Sequence, residues 1–574
     1  MRSPARRSLV LTIAMALLLG VTGAAAPPVI GAQPTSTRVA RINVDATTIP
    51  QLQRLMDARR LTSVQLTQFY LRRINKLTPV LNAVITVSPT ALADARRADR
   101  ARRRGDHRPL LGIPIIVKDN INTTGMATTA GSWALAGSTP SDAFIVERLR
   151  AAGALVLGKA NLSEWANFRS IPSSSGWSGI GGQTNMPYVL DRNPCGSSSG
   201  SGVVAAADLA VAAVGTETDG SIVCPAGANG VVGIKPTLGL LSRAGIVPIT
   251  ADQDTAGPMA RNVTDAAVLL GAMTGVDPAD PATAAQAGHA FTDYTQFLDK
   301  DALDGARIGV WRDGTYDPAR VPEVTPILEA TIAAFKAEGA TVVDPANIDI
   351  TLDTYIAEFV ALECEFKSDI ATYLQTYTGA GYPKTLADLI AFNGANSALE
   401  GPWNSQIFVE SEATAGRGSP ACNAARAATT PVVQATINSV MAANGLDPIV
   451  ALTNGPAWVT IADPEDGGDL GGDFGLFVGS SAAAAISGYA DITVPAGFVG
   501  PLPIGVTFIG NRWDEPTLIG LAYAFEQATH VRVPPRFLPS TSVGASSAGK
   551  VDKAAKGWSV APGRDGRWVM PPLR

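Results

Sequence analysis

The chain has 574 residues, of which 46% are hydrophobic and 17% are charged, and its formal net charge is −5. This composition excludes a globally disordered protein, because a chain with so much apolar surface can bury a sizeable core. The net negative charge also argues against a protein that binds nucleic acid or an anionic membrane through its overall charge.

The N-terminus predicts an export signal peptide over residues 1–32. Three arginines lie within the first seven residues, and an apolar run follows from Ser8 to Val21. That run is shorter than the roughly 20 residues of a membrane-spanning helix, and small residues follow it. Cleavage after Ala32 would give a protein that is secreted or resides in the cell envelope or periplasm, without stable membrane association. An uncleaved anchor is the alternative interpretation.

Two helices are predicted first in chain order. The segment Leu61–Leu77 has an amphipathic pattern, and Thr62 or Ser63 can cap it. Its apolar positions recur at helical spacing, at Leu66, Tyr70, Ile74 and Leu77. A second, arginine-rich helix is predicted to end at Gly105. We interpret its arginines as a solvated face rather than a nucleic-acid patch, because the protein is net acidic.

Apolar runs typical of strands then alternate with helical segments. They include "LGIPIIV" before Lys118, "GALVLG" before Lys159, "IGVW", "ATVVD", "ITVPAG" and "IGVTFIG". This alternation predicts an α/β fold with a mixed, twisted β-sheet covered by helices on both faces. Because no linker interrupts residues 45–535, we predict one large domain there, followed by a disordered tail over residues 536–574.

The cysteines are few: Cys195, Cys224, Cys364 and Cys422. An even number in an exported chain permits disulfides, but four in a chain of this length do not make a disulfide scaffold. We interpret Cys195 and Cys224 as small buried hydrophobic residues, with a disulfide between them as the alternative. No metal-ligand spacing of cysteine or histidine is found, so the sequence predicts no metal site.

Serine and glycine concentrate in two loops, "CGSSSGSG" from Cys195 and "GTETDGSIVCPAGANG" from Gly215. The three histidines lie outside both loops and no G-x-S-x-G elbow is present, which argues against a Ser-His-Asp hydrolase. The glycine-rich runs also lack the G-K-[ST] ending of a phosphate-binding loop. A catalytic serine in these loops would therefore need another base, and lysine is the obvious candidate.

Three lysines follow apolar runs or occupy tight turns: Lys118, Lys159 and Lys235. Lys118 is the best placed, because a predicted buried strand leads directly to its ammonium group. Burial would lower its pKa, as a base acting near neutral pH requires. From these residues alone, a lysine that emerges from a strand end into solvent is the preferred interpretation of Lys118. We assign Lys159 and Lys235 to structural roles.

Three blocks, "GIPIIVKDN", "CGSSSGSG" and "GTETDGSIVCPA", resemble the signature blocks of the amidase signature family in the family's order. The resemblance covers residues 45–535. It implies a Ser–cis-Ser–Lys triad with Lys118 as the base, Ser197 as the bridging serine on a cis peptide and Ser221 as the nucleophile. It implies no cofactor and no metal ion.

Further blocks, "NLSEWANFR" and "QDTAGPMAR", are similar to the bacterial peptide-amidase branch of that family, whose members remove the C-terminal amide of peptides. The wider family has a glycine and an arginine where this chain has Asp219 and Val223, and that branch shares both departures. Asn185 and Met186 depart from the family pattern, which affects the pocket wall rather than the triad. The region from Pro318 to Asn444 matches least and is expected to shape the substrate pocket.

The reaction that the resemblance implies is hydrolysis of a carboxamide C–N bond in a small-molecule or peptide amide, through an acyl-enzyme on Ser221 with release of ammonia. The predicted oxyanion hole is formed by the backbone N–H groups of Thr218, Asp219, Gly220 and Ser221, and Ser198 is expected to support the site. The alternatives are a broad-range aliphatic or aryl amidase, a transamidation subunit that makes Gln-tRNA, and a non-catalytic secreted binding protein. Export argues against the tRNA-linked function.

Overall fold

The computed structural model describes residues 37–313, 321–461, 469 and 479–543. All of them belong to one compact unit, Ala32–Arg574. The predicted signal peptide over residues 1–32 lies outside the described residues. Within those ranges, no helix is both long enough and apolar enough to cross a membrane.

An eleven-stranded mixed sheet forms the centre of the unit, with two short two-stranded sheets beside it. The strands are, in chain order, β1 (Arg38–Val39), β2 (Ile42–Asn43), β3 (Val84–Val87), β4 (Pro114–Lys118), β5 (Leu155–Ala160), β6 (Trp177–Ser178), β7 (Gly182–Gln183), β8 (Ala212–Glu217), β9 (Val232–Lys235), β10 (Thr255–Ala260), β11 (Arg307–Val310), β12 (Thr341–Val343), β13 (Ile449–Leu452), β14 (Asp491–Val499) and β15 (Leu502–Ile509).

The order across the large sheet is β12-β11-β13-β15-β14-β9-β10-β8-β4-β5-β3. The ladders β4–β5, β4–β8, β11–β12 and β11–β13 are parallel, whereas the other ladders of this sheet are antiparallel. The predicted α/β class with a mixed sheet is therefore confirmed.

Helices flank this sheet. They are, in chain order, α1 (Ile49–Asp57), α2 (Ser63–Leu81), α3 (Ala91–Arg103), α4 (Phe144–Ala151), α5 (Ser199–Ala206), α6 (Val223–Ala228), α7 (Val263–Met273), α8 (Thr325–Ala337), α9 (Leu352–Tyr377), α10 (Leu386–Ala395), α11 (Gln406–Ala413), α12 (Pro420–Ala427), α13 (Thr430–Asn444), α14 (Ser481–Ser487) and α15 (Glu515–Thr529).

The predicted amphipathic helix is confirmed as α2. Thr62 caps it through a reciprocal capping box with Gln65, in which each side chain accepts a hydrogen bond from the other residue's backbone N–H. The predicted apolar face is buried at all four positions, Leu66, Tyr70, Ile74 and Leu77. Burial of that stripe against the core stabilises the helix more than its intrinsic propensity does.

The packed domain extends past the predicted boundary at residue 535. Phe537 is buried, and Arg192 Nη2 donates a hydrogen bond to the carbonyl oxygen of Val543 at 2.7 Å. The composition of this segment suggested a tail, but backbone carbonyl groups can be held by a distant arginine whatever the local sequence. The rest of the predicted tail, residues 544–574, lies outside the described residues.

Candidate active site

Two neighbouring parallel strands bring the predicted base and the predicted nucleophile turn to one edge of the sheet. Strand β4 ends at Lys118, and β8, which pairs with it at Val117 and Val214, ends at Glu217. The carboxyl ends of parallel neighbours lie at the same edge, where open α/β sheets bind their ligands. The turn that follows Glu217 therefore starts at the same sheet edge as Lys118.

The Lys118 side chain is fully buried and faces hydroxyl groups. Its Nζ lies 2.7 Å from Ser197 Oγ, 2.9 Å from Thr216 Oγ1 and 3.2 Å from the Thr216 carbonyl oxygen. Burial lowers the pKa of Lys118 to about 7, although the negative charges of Asp254 and Glu217 oppose that shift. The interpretation of Lys118 as a solvent-exposed lysine is therefore wrong, and its amine can be neutral near neutral pH.

The Ser197 loop lies directly against the Ser221 turn. The Gly196–Ser197 peptide is cis, as the family resemblance implies. The next residue, Ser198, donates its backbone N–H to the Ser221 carbonyl oxygen at 3.1 Å. Its hydroxyl donates to the Thr216 carbonyl oxygen at 2.9 Å and accepts from the Thr216 N–H at 3.1 Å. Ser198 therefore joins the two loops, in the supporting position that the sequence predicted.

The buried carboxylate of Glu217 accepts hydrogen bonds from backbone N–H groups next to Ser221. Its Oε2 accepts hydrogen bonds from Ile222 at 2.7 Å and from Val223 at 3.1 Å. The backbone of Gly220 also hydrogen-bonds to this carboxylate. Gly220, one of the four amides predicted for the oxyanion hole, is thus directed toward Glu217.

Ser221 follows a glycine whose backbone only glycine adopts easily. Gly220 has a φ of 73°, in the left-handed region. Ser221 itself is almost completely buried, with 8% of its area exposed. Thr218 lies two residues before Gly220 in this turn. Its hydroxyl donates a hydrogen bond to Asp254 Oδ1 at 2.6 Å. The turn is therefore held from both of its ends, by Glu217 and by Asp254.

Asp219 contacts a distant helix rather than its own turn. Its Oδ1 accepts a hydrogen bond at 2.5 Å from the hydroxyl of Ser481, the first residue of α14. Burial, with a smaller contribution from the charge of Glu217, raises the pKa of Asp219 to about 6 against the hydrogen bond from Ser481. The interpretation of Asp219 as a turn-stabilising acceptor is therefore replaced by a contact between the nucleophile turn and α14.

A disulfide joins the loop that carries Ser197 to the segment that follows Ser221. Cys195 and Cys224 are bonded, with their Cα atoms 6.0 Å apart. Both are buried, as predicted, but the preferred interpretation of them as unbonded hydrophobic residues is wrong. Cys195 lies two residues before Ser197, and Cys224 lies three residues after Ser221. Cys195 precedes α5 and Cys224 lies in α6, so their proximity depends on the path of the chain through α5 and β8.

A second disulfide, between Cys364 and Cys422, joins α9 to α12 in the region expected to shape the pocket. Arg426 of α12 donates to Gln253 Oε1 at 2.6 Å, and Gln253 donates to Glu358 Oε1 of α9 at 2.7 Å. Because Gln253 directly precedes Asp254, these two helices are connected to the residue that holds Thr218. This connection was not foreseen from the sequence.

Lys159 and Lys235 lie in other surroundings. Lys159 Nζ lies 3.5 Å from Asp119 Oδ1, and Lys235 Nζ donates to the Tyr489 carbonyl oxygen at 2.5 Å. These contacts agree with the structural roles assigned to both lysines.

The three histidines have other partners. His107 Nδ1 lies 3.2 Å from Asp57 Oδ1, His289 stacks on the Trp513 ring, and His530 directly follows α15 as its C-cap. In the part of the chain that the structure describes, no group of three histidine, cysteine or acidic side chains could hold a metal ion.

Sequence reasoning missed four residues of the site, and most of them had a detectable signal. Thr216 and Glu217 lie inside the quoted block "GTETDGSIVCPA", and Asp254 lies inside "QDTAGPMAR". A polar residue within a block of otherwise small residues was the available signal for each. Ser481 had none, because it lies in an alanine-rich segment far along the chain.

Comparison with known proteins is consistent with this geometry. The model of a family described as "Amidase" matches residues 65–519. The solved peptide amidase of Stenotrophomonas maltophilia is 48% identical, covers 86% of this chain and 99% of its own, and superposes with a TM-score of 0.80. A "Probable amidase" of Arabidopsis thaliana is 40% identical over 86% of this chain and 92% of its own length. A glutamyl-tRNA(Gln) amidotransferase chain of Alkalilimnicola ehrlichii is 31% identical over 85% of this chain and 99% of its own length.

Proposed function

The chain belongs to the amidase family and is an amide hydrolase, and we propose that it removes the C-terminal amide of peptides through an acyl-enzyme on Ser221. The observation that carries the proposal is the 2.7 Å contact between Lys118 Nζ and Ser197 Oγ, beside the turn that presents Ser221. The likeness to a peptide amidase supports the substrate class.

The first half of the proposed reaction forms the acyl-enzyme. Neutral Lys118 accepts the proton of the Ser197 hydroxyl as Ser197 accepts the proton of Ser221. Ser221 Oγ then attacks the amide carbonyl carbon and forms a tetrahedral oxyanion. Backbone N–H groups of the turn from Thr218 to Ser221 stabilise this oxyanion, and the loss of one such donor typically costs about 3–4 kcal/mol. Since the Gly220 amide hydrogen-bonds to Glu217, it is the least available of the four.

The second half releases ammonia and then the acid. As the C–N bond breaks, the relay returns a proton to the leaving nitrogen, which departs as ammonia. Water attacks the Ser221 ester while Lys118, acting through Ser197, takes the proton of the water. The ester C–O bond breaks, the proton returns to Ser221 Oγ, and a peptide with a free carboxyl group leaves. The net reaction consumes one amide and one water and yields one carboxylic acid and one ammonia.

We also propose that the protein acts outside the cytoplasm. All four cysteines are paired in two disulfides, and disulfides persist in oxidising compartments. The predicted signal peptide over residues 1–32 supports the same location. N-terminal sequencing of the protein recovered from the medium or the periplasm should begin at Gln33. Recovery of the intact Met1 form in the cytoplasm alone would refute the proposal.

Ammonia release from three matched sets of compounds tests the substrate class. Peptide amides, the corresponding free-acid peptides and simple aliphatic or aryl amides are compared by kcat/KM. We expect the peptide amides to be hydrolysed best and the free-acid peptides not at all. Higher kcat/KM values for the simple amides would instead identify a broad-range amidase on the same residues.

The variant Ser221→Ala tests the nucleophile in the same assay. It should lower kcat by on the order of 10⁶, because the Oγ atom that forms the covalent bond is gone. Circular dichroism should be unchanged. A variant that kept a substantial share of wild-type turnover would show that another residue is the nucleophile.

A further inference from the structure

We propose that Asp254 is a positioning residue of this site, whose carboxylate holds the nucleophile turn through Thr218 and, when ionised, favours the protonated form of Lys118. The inference rests on the proposed function of Ser221 and Lys118, and deepens it. Asp254 acts through these neighbours rather than on the substrate.

The backbone brings Asp254 opposite the nucleophile turn. Asp254 directly precedes β10, and β10 pairs antiparallel with β8 so that Thr255 lies opposite Glu217. In an antiparallel pair, the residue before Thr255 therefore meets the residue after Glu217, which is Thr218. The hydroxyl of Thr218 donates to Asp254 Oδ1 at 2.6 Å.

The other oxygen of Asp254 is also held. Asp254 Oδ2 accepts hydrogen bonds from the backbone N–H groups of Ile249 at 2.8 Å and Thr250 at 3.1 Å. The residue is buried. With both oxygens engaged, the carboxylate cannot rotate away without leaving buried donors unpaired, which typically costs about 1–3 kcal/mol for each. Asp254 is thus a fixed point to which the Thr218 side chain is tied.

The charge of Asp254 acts on the proposed base. Burial, with a smaller contribution from Asp369, raises the pKa of Asp254 to about 7 against the hydrogen bonds from Thr218 and Ile249 and the charge of Arg243, so this carboxyl group is mostly ionised above that pH. Asp254 and Glu217 both favour the ammonium form of Lys118 and so oppose the lowering of its pKa by burial. A base with too low a pKa takes up a serine proton poorly. Asp254 therefore keeps Lys118 basic enough to act while burial keeps it neutral enough to accept a proton.

The test compares pH profiles of Ser221 reactivity. A serine-directed fluorophosphonate probe is reacted with the full-length protein, and the labelling rate at Ser221 is followed by mass spectrometry alongside kcat/KM on a peptide amide. Asp254→Asn keeps the size of the side chain and an oxygen for the Ile249 and Thr250 N–H groups, and its NH2 group can donate to the Thr218 hydroxyl, but the charge is removed. The acidic limb of both profiles should then move to lower pH by about one unit, because the group that favoured the ammonium is gone.

A matched control is available at Asp277. Like Asp254, Asp277 is buried and accepts a hydroxyl hydrogen bond, from Ser242 at 2.6 Å. Asp277→Asn should leave the acidic limb in place. An Asp254→Asn profile whose acidic limb coincides with that of the wild type would overturn the proposal.

Thr218→Val separates the hydrogen bond from the charge. It keeps the shape of the side chain and the Asp254 carboxylate but removes the hydroxyl. The labelling rate and kcat should fall about tenfold or more, with KM little changed and the acidic limb in place, because the turn is less well positioned. Wild-type rates in this variant would refute the positioning role, even if Asp254→Asn failed to fold.

The labelling readout separates this inference from the proposed substrate class. Wild-type protein that is labelled at Ser221 but releases no ammonia from peptide amides would refute that class, and the Asp254 comparison would still be decided by the labelling rates. Wild-type protein that is not labelled at Ser221 would refute both.

Discussion

Lys118 and Lys159 lie on adjacent parallel strands, β4 and β5, and both are fully buried, yet they have different partners. Burial lowers the pKa of Lys118 to about 7 and that of Lys159 to about 8. Lys159 lies 3.5 Å from the Asp119 carboxylate, whereas Lys118 faces the hydroxyls of Ser197 and Thr216. Both lysines contact a threonine hydroxyl, but only Lys118 also contacts a serine hydroxyl, whereas Lys159 is paired with a carboxylate that favours its charged form.

The two lysines also differ in where their partners come from. Lys159 binds groups of a single preceding segment, including the Ile121 carbonyl oxygen and Thr128 Oγ1. The partners of Lys118 lie 79 and 98 residues away, Ser197 in the loop before α5 and Thr216 in β8. The surroundings of Lys118 thus depend on the meeting of two distant segments, and those of Lys159 on one nearer segment.

Among the predictions that compare the two lysines, the largest effect is expected on the kcat of Lys118 variants. Lys118→Arg and Lys118→Met should each lower kcat by about 10²–10⁴, because a guanidinium stays protonated and a thioether is not a base. The folded fraction of the control variant Lys159→Met should keep kcat within a few-fold of wild type. The measurement is kcat on one peptide amide with circular dichroism as a folding check. A nearly wild-type Lys118→Arg variant would remove the contrast between the two lysines.

Lys159→Met should instead reduce stability. It leaves Asp119 buried without its cation, and breaking a buried ion pair in this way costs about 3–5 kcal/mol of the free energy of unfolding. Urea denaturation measures the loss. The double variant Lys159→Met/Asp119→Leu should recover part of it, since neither charge is then buried. Wild-type stability in the single variant would contradict the assignment of Lys159 to a structural role.

Separate removal of the two disulfides should have different effects on kcat, because only Cys195–Cys224 lies next to the residues around Lys118. Cys195→Ala/Cys224→Ala should lower the free energy of unfolding by about 2–4 kcal/mol. It should also lower kcat, because the loops that carry Ser197 and Ser221 are no longer joined. Cys364→Ala/Cys422→Ala should lose similar stability and keep more of its kcat. Equal losses of kcat in both variants would show that the loop disulfide has no special relation to the site.

The smallest expected effect is the pH dependence of the wild-type enzyme. Only neutral Lys118 accepts a proton, and the neutral fraction increases as pH rises through the pKa of about 7. Below that pH, kcat/KM should fall about tenfold for each unit, and above it should level off. A limb centred near pH 8 would match the pKa of Lys159 rather than that of Lys118.

Local patterns predicted much of the fold. Helix α2, with its cap at Thr62, and the apolar strands β4 and β5 could be identified because their spacing and end signals lie within a few residues. The run Val203–Val214 is different, because α5 ends inside it at Ala206 and β8 begins inside it at Ala212. A continuous run of alanine and valine has neither helical nor strand periodicity, so the break within it could not be placed.

The candidate site was predictable where its residues lie in recognisable blocks, as for Lys118, Ser197 and Ser221. The contacts between blocks were not, because they depend on strand order. The Cys195–Cys224 disulfide joins the residues before α5 to those after β8, and the contact of Ser481 with Asp219 spans 262 residues. The sequence of neither segment contains a signal that predicts these contacts.

The strand order also has a consequence for the biosynthesis of the protein. Strand β9 is hydrogen-bonded to β10 on one side and to β14 on the other, where Lys235 faces Asp491. During translation, this second edge stays open until about 250 more residues have been made, which takes on the order of 10–50 s. An unpaired edge strand is a template for association with other chains. A fragment that carries the whole Lys118–Ser221 region but ends before β14 should therefore aggregate when expressed, although it contains every proposed catalytic residue.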